Sequence, residues 1–188
     1  EVDITGKLDS FWVESVALGD LDGDGDLDMV VGTSNIVVLL NRGDGTFDSS
    51  AKYSDAGAWA VLGDVDGDGD LDVVAAGAGA GKVAVLLNHG DGTFESAVLY
   101  DAGGLGYSLA LGDLDGDGDL DLATSNYTPN TLTVMFNQGN GIFGNPASYP
   151  AGRGPWPVVI ADLDGDGDLD VVTANSAGFA IATVLWNQ

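Results

Sequence analysis

The sequence predicts an all-β fold of four repeated units, each a sheet of four short antiparallel strands. Three observations predict it. The stretch Asp20-Leu-Asp-Gly-Asp-Gly-Asp-Leu-Asp28 recurs at Asp64–Asp72, Asp113–Asp121 and Asp162–Asp170, with Val65 the single change. The first aspartates of these stretches lie 44, 49 and 49 residues apart. Between them run apolar segments of about four to six residues, β-branched and bounded by Gly, Asn or Asp, which is the pattern of strands and not of helices.

Each unit reads in the same order. A short run ends at the first aspartate of the loop, as in Ala17–Asp20, Val61–Asp64, Ala110–Asp113 and Ile160–Asp162. The aspartate loop leads into a second run at Leu27–Val31, Leu71–Ala76, Leu120–Ala123 and Leu169–Thr173. A Gly/Ser/Asn-rich connection leads to a third at Ile36–Leu40, Val83–Leu87, Leu132–Phe136 and Ile181–Trp186. The pairs Asp44-Gly45, Asp91-Gly92 and Asn140-Gly141 then turn the chain, because glycine tolerates positive φ. A fourth extended segment closes the unit, for example Ser96–Tyr100. The inner runs are apolar at nearly every position, so both faces should be covered, as when sheets stack on sheets.

Four short strands repeated at this period describe blades of a β-propeller, here four per chain within one domain over residues 1–188. The segment Val2–Thr5 resembles a spare fourth strand, and the last unit lacks its own. Residues 1–6 are therefore expected to complete the last blade, which would hide two strand edges. Two chains joined as an eight-bladed ring, a homodimer by ring completion, and an arc of a longer propeller are the alternatives.

Composition narrows the function. The formal charge is −25, from 30 acidic and 5 basic residues, and the four loops hold 20 of the acids. Acidity is thus local. A disordered acidic chain does not fit, since 45% of residues are hydrophobic and regularly placed. No basic stripe exists to neutralise phosphates, which argues against nucleic acid as a partner. There is no cysteine to form disulfides. No apolar run reaches the roughly 18 residues that a spanning helix needs.

The loops themselves point to a metal. Calcium takes six to eight hard oxygen ligands. Asp20, Asp22, Asp24 and Asp28 stand at positions 1, 3, 5 and 9, with Asp26 at position 7 placed to give its backbone carbonyl. The other loops offer Asp64, Asp66, Asp68, Asp70 and Asp72; Asp113, Asp115, Asp117, Asp119 and Asp121; and Asp162, Asp164, Asp166, Asp168 and Asp170. Two carboxylates about 6 Å apart repel by roughly 3 kcal/mol at an effective dielectric near 20. Five in nine residues therefore call for a cation, and four Ca2+ sites are expected. This is no EF-hand: position 12 should be glutamate but is Val31, Ala75, Thr124 or Thr173. Magnesium demands stricter octahedral geometry and keeps its waters.

The pattern Asp-x-Asp-Gly-Asp-Gly-x-x-Asp between two short strands, with Ala-Leu-Gly-Asp before it and Gly-Asp-Gly-Thr-Phe after it, resembles the FG-GAP/VCBS repeats. Those repeats form the calcium-bearing blades of integrin α-subunit propellers and of many secreted bacterial and fungal proteins. The resemblance covers essentially the whole chain. It implies calcium loops between the first and second strands of each blade, an extracellular or cell-surface location, and a role in adhesion or sugar binding, other members being accessory parts of enzymes.

The connections at the opposite face would carry a ligand, since loops on a rigid scaffold do so often. There Trp12, Trp59, Tyr107 and Trp156 precede the loops by five to eight residues, with Arg153 near Trp156 and with Asn35, Asn126, Tyr127 and Asn175 on neighbouring connections. Flat aromatics beside such donors suit a glycan or an extracellular protein ligand; the competing reading is that they pack between blades. Phe47, Phe94 and Phe143 occupy one repeat position and read as structural. His89 aligns with Arg42 and Gln138 as a turn residue, and no serine lies in a nucleophile-elbow pattern, so no catalytic residue is assigned. A polysaccharide-active enzyme or accessory domain and a structural spacer are the alternative functions.

Overall fold

The computed structural model describes residues 12–54, 56–78, 81–178 and 181–188. The segment expected to complete the last blade, residues 1–6, lies outside the described residues. Fifteen strands and no helix occur among the described residues. The first sheet holds β1 (Ser15–Gly19), β2 (Asp28–Gly32), β3 (Asn35–Asn41) and β4 (Phe47–Ser54). The second holds β5 (Trp59–Gly63), β6 (Asp72–Ala78), β7 (Lys82–Leu86) and β8 (Val98–Asp101). The third holds β9 (Leu105–Gly112), β10 (Asp121–Thr128), β11 (Thr131–Met135) and β12 (Ala147–Pro150). The fourth has three described strands, β13 (Arg153–Ala161), β14 (Asp170–Ala177) and β15 (Ala182–Leu185).

Every sheet is an antiparallel meander in sequence order, and the aspartate loop always joins its first two strands. The turns form as their residues require: Gly45, Gly92 and Gly141 have φ of 81°, 73° and 69°. Asp44 and Asp91 brace two of these turns by accepting from the N–H and hydroxyl of Thr46 and Thr93. The fourth strand of the second sheet starts at Val98 and not at Ser96. The chain first makes a lone bridge between Asn88 and Phe94, which uses up the residues in between.

Successive sheets stack face to face, with β1 and β2 on β5, β5 and β6 on β9, and β9 and β10 on β13. This is the layout of four propeller blades. Strand alternation divides the apolar residues between seams. Val30, Ile36, Val38 and Leu21 meet Ala60, Val73, Ala84 and Leu86 in the first seam. Val74, Val83, Val85 and Val65 meet Leu109, Leu122 and Met135 in the second. Leu114, Ala123, Leu132 and Val134 meet Val158 and Val171 in the third. Each such Val, Leu, Ile or Met side chain contributes about 1.5–3 kcal/mol on full burial. Glycine before the loop is required by this stacking. A Cβ on Gly19 would stand 2.6 Å from Leu71 Cδ1, and one on Gly63 would stand 2.8 Å from Leu111 Cδ1.

Polar groups lock the same seams. The Asn88 side chain donates to the Leu21 carbonyl at 2.9 Å, Asn137 to Val65 at 2.7 Å, and Asn187 to Leu114 at 2.6 Å. Ser15 Oγ donates to the Ala58 carbonyl and accepts from the Ala60 N–H across the first seam. Tyr53 packs edge-on against Phe94, and Tyr100 against Phe143, with ring centroids 5.8 and 5.6 Å apart.

Candidate functional site

The loop end of the sheets is built four times over by one local network. In the first loop Asp20 Oδ1 accepts from the Gly23 N–H at 2.8 Å, and Oδ2 from the Gly25 N–H at 3.0 Å. The N–H of Asp26 donates to Asp24 Oδ1 at 2.9 Å. Positive φ at Gly23 and Gly25, 74° and 93°, lets the chain wrap round its own carboxylates. The ninth residue is a bolt. Asp28 is fully buried; its Oδ2 accepts from the Leu21 N–H at 2.8 Å and its Oδ1 from the Asn41 N–H at 2.7 Å. Asp72, Asp121 and Asp170 repeat both bonds, to Val65 and Asn88, Leu114 and Asn137, Leu163 and Asn187.

This network gathers carboxylate oxygens from positions 1, 3 and 9 within 4.8 Å of one another: Asp20, Asp22 and Asp28; Asp64, Asp66 and Asp72; Asp113, Asp115 and Asp121; Asp162, Asp164 and Asp170. Position 5 (Asp24, Asp68, Asp117, Asp166) and the side chains of position 7 (Asp26, Asp70, Asp119, Asp168) lie outside those sets. Crowding has an electrostatic cost. Burial, eased only in part by its two N–H donors, pushes the Asp72 carboxyl up to about 6. Burial raises Asp121 as well, against the donors of Asn137 and Leu114. Desolvation followed by neighbouring carboxylates raises Asp22, and desolvation is also the leading cause at Asp66 and Asp164. A cation among these oxygens reverses that balance, because opposite charge favours the ionised form. A set of three hard anionic oxygens, one of them on a buried and doubly anchored side chain, fits a divalent metal of the calcium type. Four such sets could hold metal ions.

The other end of the first strands is built differently. Trp59 opens β5, whose far end enters the second loop, so its ring sits at the end of the sheet away from the carboxylates. Trp59 and Trp156 meet edge-on at 5.2 Å, Tyr107 lies 5.9 Å from Trp156, and Tyr127 lies 5.9 Å from Tyr107. Three of the four anticipated aromatics therefore share one cluster across three sheets, joined by Tyr127. Packing between blades and exposure coexist here, since Trp156 is 41% exposed. A groove of about 280 Å³ lies beside the cluster, lined by Glu14, Ser34, Trp59 and Tyr107 among others. Trp59 Nε1 has no hydrogen-bond partner among the described residues. Trp12 is 80% exposed at the first described position, and Arg153 lies beside Gly178 at the start of β13. His89 is exposed in its turn.

Two features escaped the sequence reading although a signal for each was present. Asn41, Asn88 and Asn137 open the three turn motifs, Asn187 stands at the same repeat position, and Asn88, Asn137 and Asn187 lock seams. Tyrosine follows phenylalanine by six residues at Phe47 and Tyr53, Phe94 and Tyr100, and Phe143 and Tyr149. At the first two of these pairs the tyrosine closes on the phenylalanine of the next blade, Tyr53 on Phe94 and Tyr100 on Phe143.

Comparison with known proteins agrees with this architecture. A family model described as an FG-GAP-like repeat matches residues 20–75, 64–124 and 122–173. No curated protein matches the chain. Among solved structures, an Agrocybe aegerita lectin that recognises non-reducing terminal N-acetylglucosamine is similar over 95% of this chain, at 29% identity and a TM-score of 0.63. The chain spans half the length of that lectin. The Photorhabdus luminescens Tc holotoxin pore is similar over 95% of this chain and 10% of its own, at 23% identity and a TM-score of 0.41. No helix among the described residues is long and apolar enough to cross a membrane. With the matched repeats running from residue 20 to residue 173 and a blade laid down for each loop, the chain belongs to the FG-GAP-like repeat family.

Proposed function

We propose that residues 1–188 form one calcium-stabilised, non-catalytic carbohydrate-binding module of an extracellular or cell-surface protein. The aromatic end of the blades binds the sugar, and terminal N-acetylglucosamine is the first ligand to test. The observation that carries this reading is the ring cluster of Trp59, Trp156, Tyr107 and Tyr127, which spans three sheets beside an open groove. A pyranose stacks its apolar face on such rings while Glu14 and Ser34, which line the groove, meet its hydroxyls and amide. Likeness over nearly the whole chain to a lectin of that specificity supports the same choice.

Calcium has a structural part in this proposal. The aspartates at positions 1, 3, 5 and 9 of each loop supply side-chain oxygens, and position 7 supplies a carbonyl. Each ion would neutralise carboxylates that otherwise repel, and would hold the first two strands of its blade in register. Four ions would bring the formal charge from −25 to about −17.

A glycan array probed with the calcium-loaded protein is the test. Signal on N-acetylglucosamine-terminated glycans, lost on Trp156→Ala with the fold intact by circular dichroism, is the expected result. A blank array, or binding that ignores Trp156→Ala, would count decisively against the sugar site.

A further inference from the structure

The buried aspartates and the seam asparagines form one continuous line of hydrogen bonds. Leu21 stands between the carboxylates of Asp20 and Asp22, so its two flanking peptide groups set how that pair is held. Its N–H donates to Asp28 Oδ2 of the same loop at 2.8 Å. Its carbonyl accepts from the Asn88 side chain of the second blade at 2.9 Å. Asn88 is in turn held by the second loop. Its backbone N–H donates to Asp72 Oδ1 at 2.8 Å, and its side chain also donates to the Leu71 carbonyl at 3.0 Å.

The line continues into the third blade. Asp72 Oδ2 accepts from the Val65 N–H at 2.9 Å, the Val65 carbonyl accepts from the Asn137 side chain at 2.7 Å, and the Asn137 N–H donates to Asp121 Oδ1 at 2.8 Å. Leu114 and Asn187 carry it from Asp121 to Asp170 in the same way. Every aspartate on the line belongs to one of the carboxylate trios. Asn88 and Asn137 are only 4% and 3% exposed, so water competes little for these bonds. A loop is thus clamped twice, by its own ninth residue and by the ninth residue of the next loop acting through an asparagine.

We propose that Asn88 and Asn137 are positioning residues that couple neighbouring cation sites, so that filling one loop tightens calcium binding in the next. This rests on the reading of the loops as calcium sites. A loop with Asp72 fixed presents an ordered Asn88 to Leu21, and the loop before it then has less freedom to lose on binding. By linkage the effect is reciprocal. Charge alone acts in the opposite sense. Emptying one loop leaves negative charge behind, which would tighten cation binding by its neighbours, the more so at low salt. The sign of the coupling therefore separates the hydrogen-bond line from simple electrostatics.

The test is a calcium titration of the whole protein followed by NMR at the amides of Gly25, Gly118 and Gly167, each of which donates to the first carboxylate of its own loop. Asp66→Ala removes a carboxylate from the second trio and spares both bonds of Asp72. The calcium midpoints at Gly25 and Gly118 are expected to rise about fivefold or more, and that at Gly167, two seams away, by less. Asn88→Ala keeps the backbone N–H to Asp72 and loses the side-chain bonds to Leu21 and Leu71. In that background Asp66→Ala should no longer move the Gly25 midpoint but should still move that of Gly118, a split that a general loss of stability would not produce. Midpoints that stay or fall in Asp66→Ala overturn the coupling and leave calcium binding standing. A Gly25 response that is the same with and without the Asn88 side chain does so too. No response to calcium at any of the three glycines overturns the coupling together with the reading of the loops. Should Asn88→Ala not fold, the Asp66→Ala titration decides alone.

Discussion

The two ends of the first strands follow opposite rules. At the loop end the four blades repeat almost atom for atom: the same carboxylates accept from the same N–H groups, and the same buried aspartate ties the loop to an asparagine at or just past the end of the third strand. At the aromatic end the blades diverge, although Ser15 and Ser108 accept equivalent bonds from Ala60 and Val158 of the next blade. Ser15, Trp59, Ser108 and Pro157 occupy one repeat position and Glu14, Ala58, Tyr107 and Trp156 the one before it, so the ring cluster takes Tyr107 and Trp156 from one position, Trp59 from the next and Tyr127 from another strand. Redundancy at one end suits a scaffold, since every blade has the same electrostatic problem and the same solution. Variation at the other suits recognition, which needs one particular surface and not four copies of it.

Removing metal should break the comparison most severely. Each site at a hundredfold excess of ligand over its dissociation constant adds about 2.7 kcal/mol to folding, so four add on the order of 10 kcal/mol. Chelation is therefore expected to lower the melting temperature by some tens of degrees. An unchanged melt would show that the loop end does not depend on cations. Next in size is the bolt. Asp121→Ala leaves the N–H groups of Leu114 and Asn137 without their acceptor, and a loss of about 3 kcal/mol is expected in denaturant titrations. Changing an exposed loop residue such as Asp117 should cost clearly less, and an equal cost would mean that the ninth position has no special part.

Acid sharpens the same point through its sign. With the folded Asp72 carboxyl near 6 and its ordinary value at 3.8, the metal-free fold binds more protons than the unfolded chain between those values. Its ionised form is thus a penalty on folding above pH 6, and metal-free protein should become more stable as pH falls towards 4. Calcium-loaded protein should lose stability over the same window, because protons compete for the ligand oxygens. Melts at pH 7.5, 6 and 5 with and without calcium would separate the two, and parallel curves would refute the account of the loops.

At the aromatic end Trp156→Ala should weaken sugar binding at least about tenfold while moving the melt far less than Asp121→Ala does. Titration calorimetry beside a thermal melt tests that separation, and a collapse of the fold would make the rings structural after all. The smallest effect belongs to the seams. Tyr100→Phe removes only the long bond to the Gly141 carbonyl, 3.3 Å, and leaves the ring contact with Phe143. A change of about 1 kcal/mol or less is expected, and a larger one would mean that the hydroxyl governs blade stacking.

How much of this was legible follows from sequence distance. The loops could be read because the groups that wrap them, from the Asp20 acceptor to the Gly25 donor to the buried Asp28, lie within nine residues, and only the tie to Asn41 reaches further. The hairpins were equally local, as Gly45 and Gly92 show. The seams could not be read in the same way. Asn88 reaches Leu21 across 67 residues and Asn137 reaches Val65 across 72, so each appeared only as the first letter of a turn motif. The ring cluster was half visible. Aromatics before each loop could be counted, but not that Tyr127 would join Tyr107 while Trp12 stood 80% exposed, because alternation along a strand says which side a residue takes and not which ring it meets.

By itself the sequence determined the repeat, the strand pattern and the carboxylate loops, since these rest on backbone stereochemistry and on charges a few bonds apart. Only the tertiary structure decided which faces meet and which aromatics gather. Those outcomes depend on groups far apart in the chain, brought together when apolar faces leave water and one sheet closes on the next.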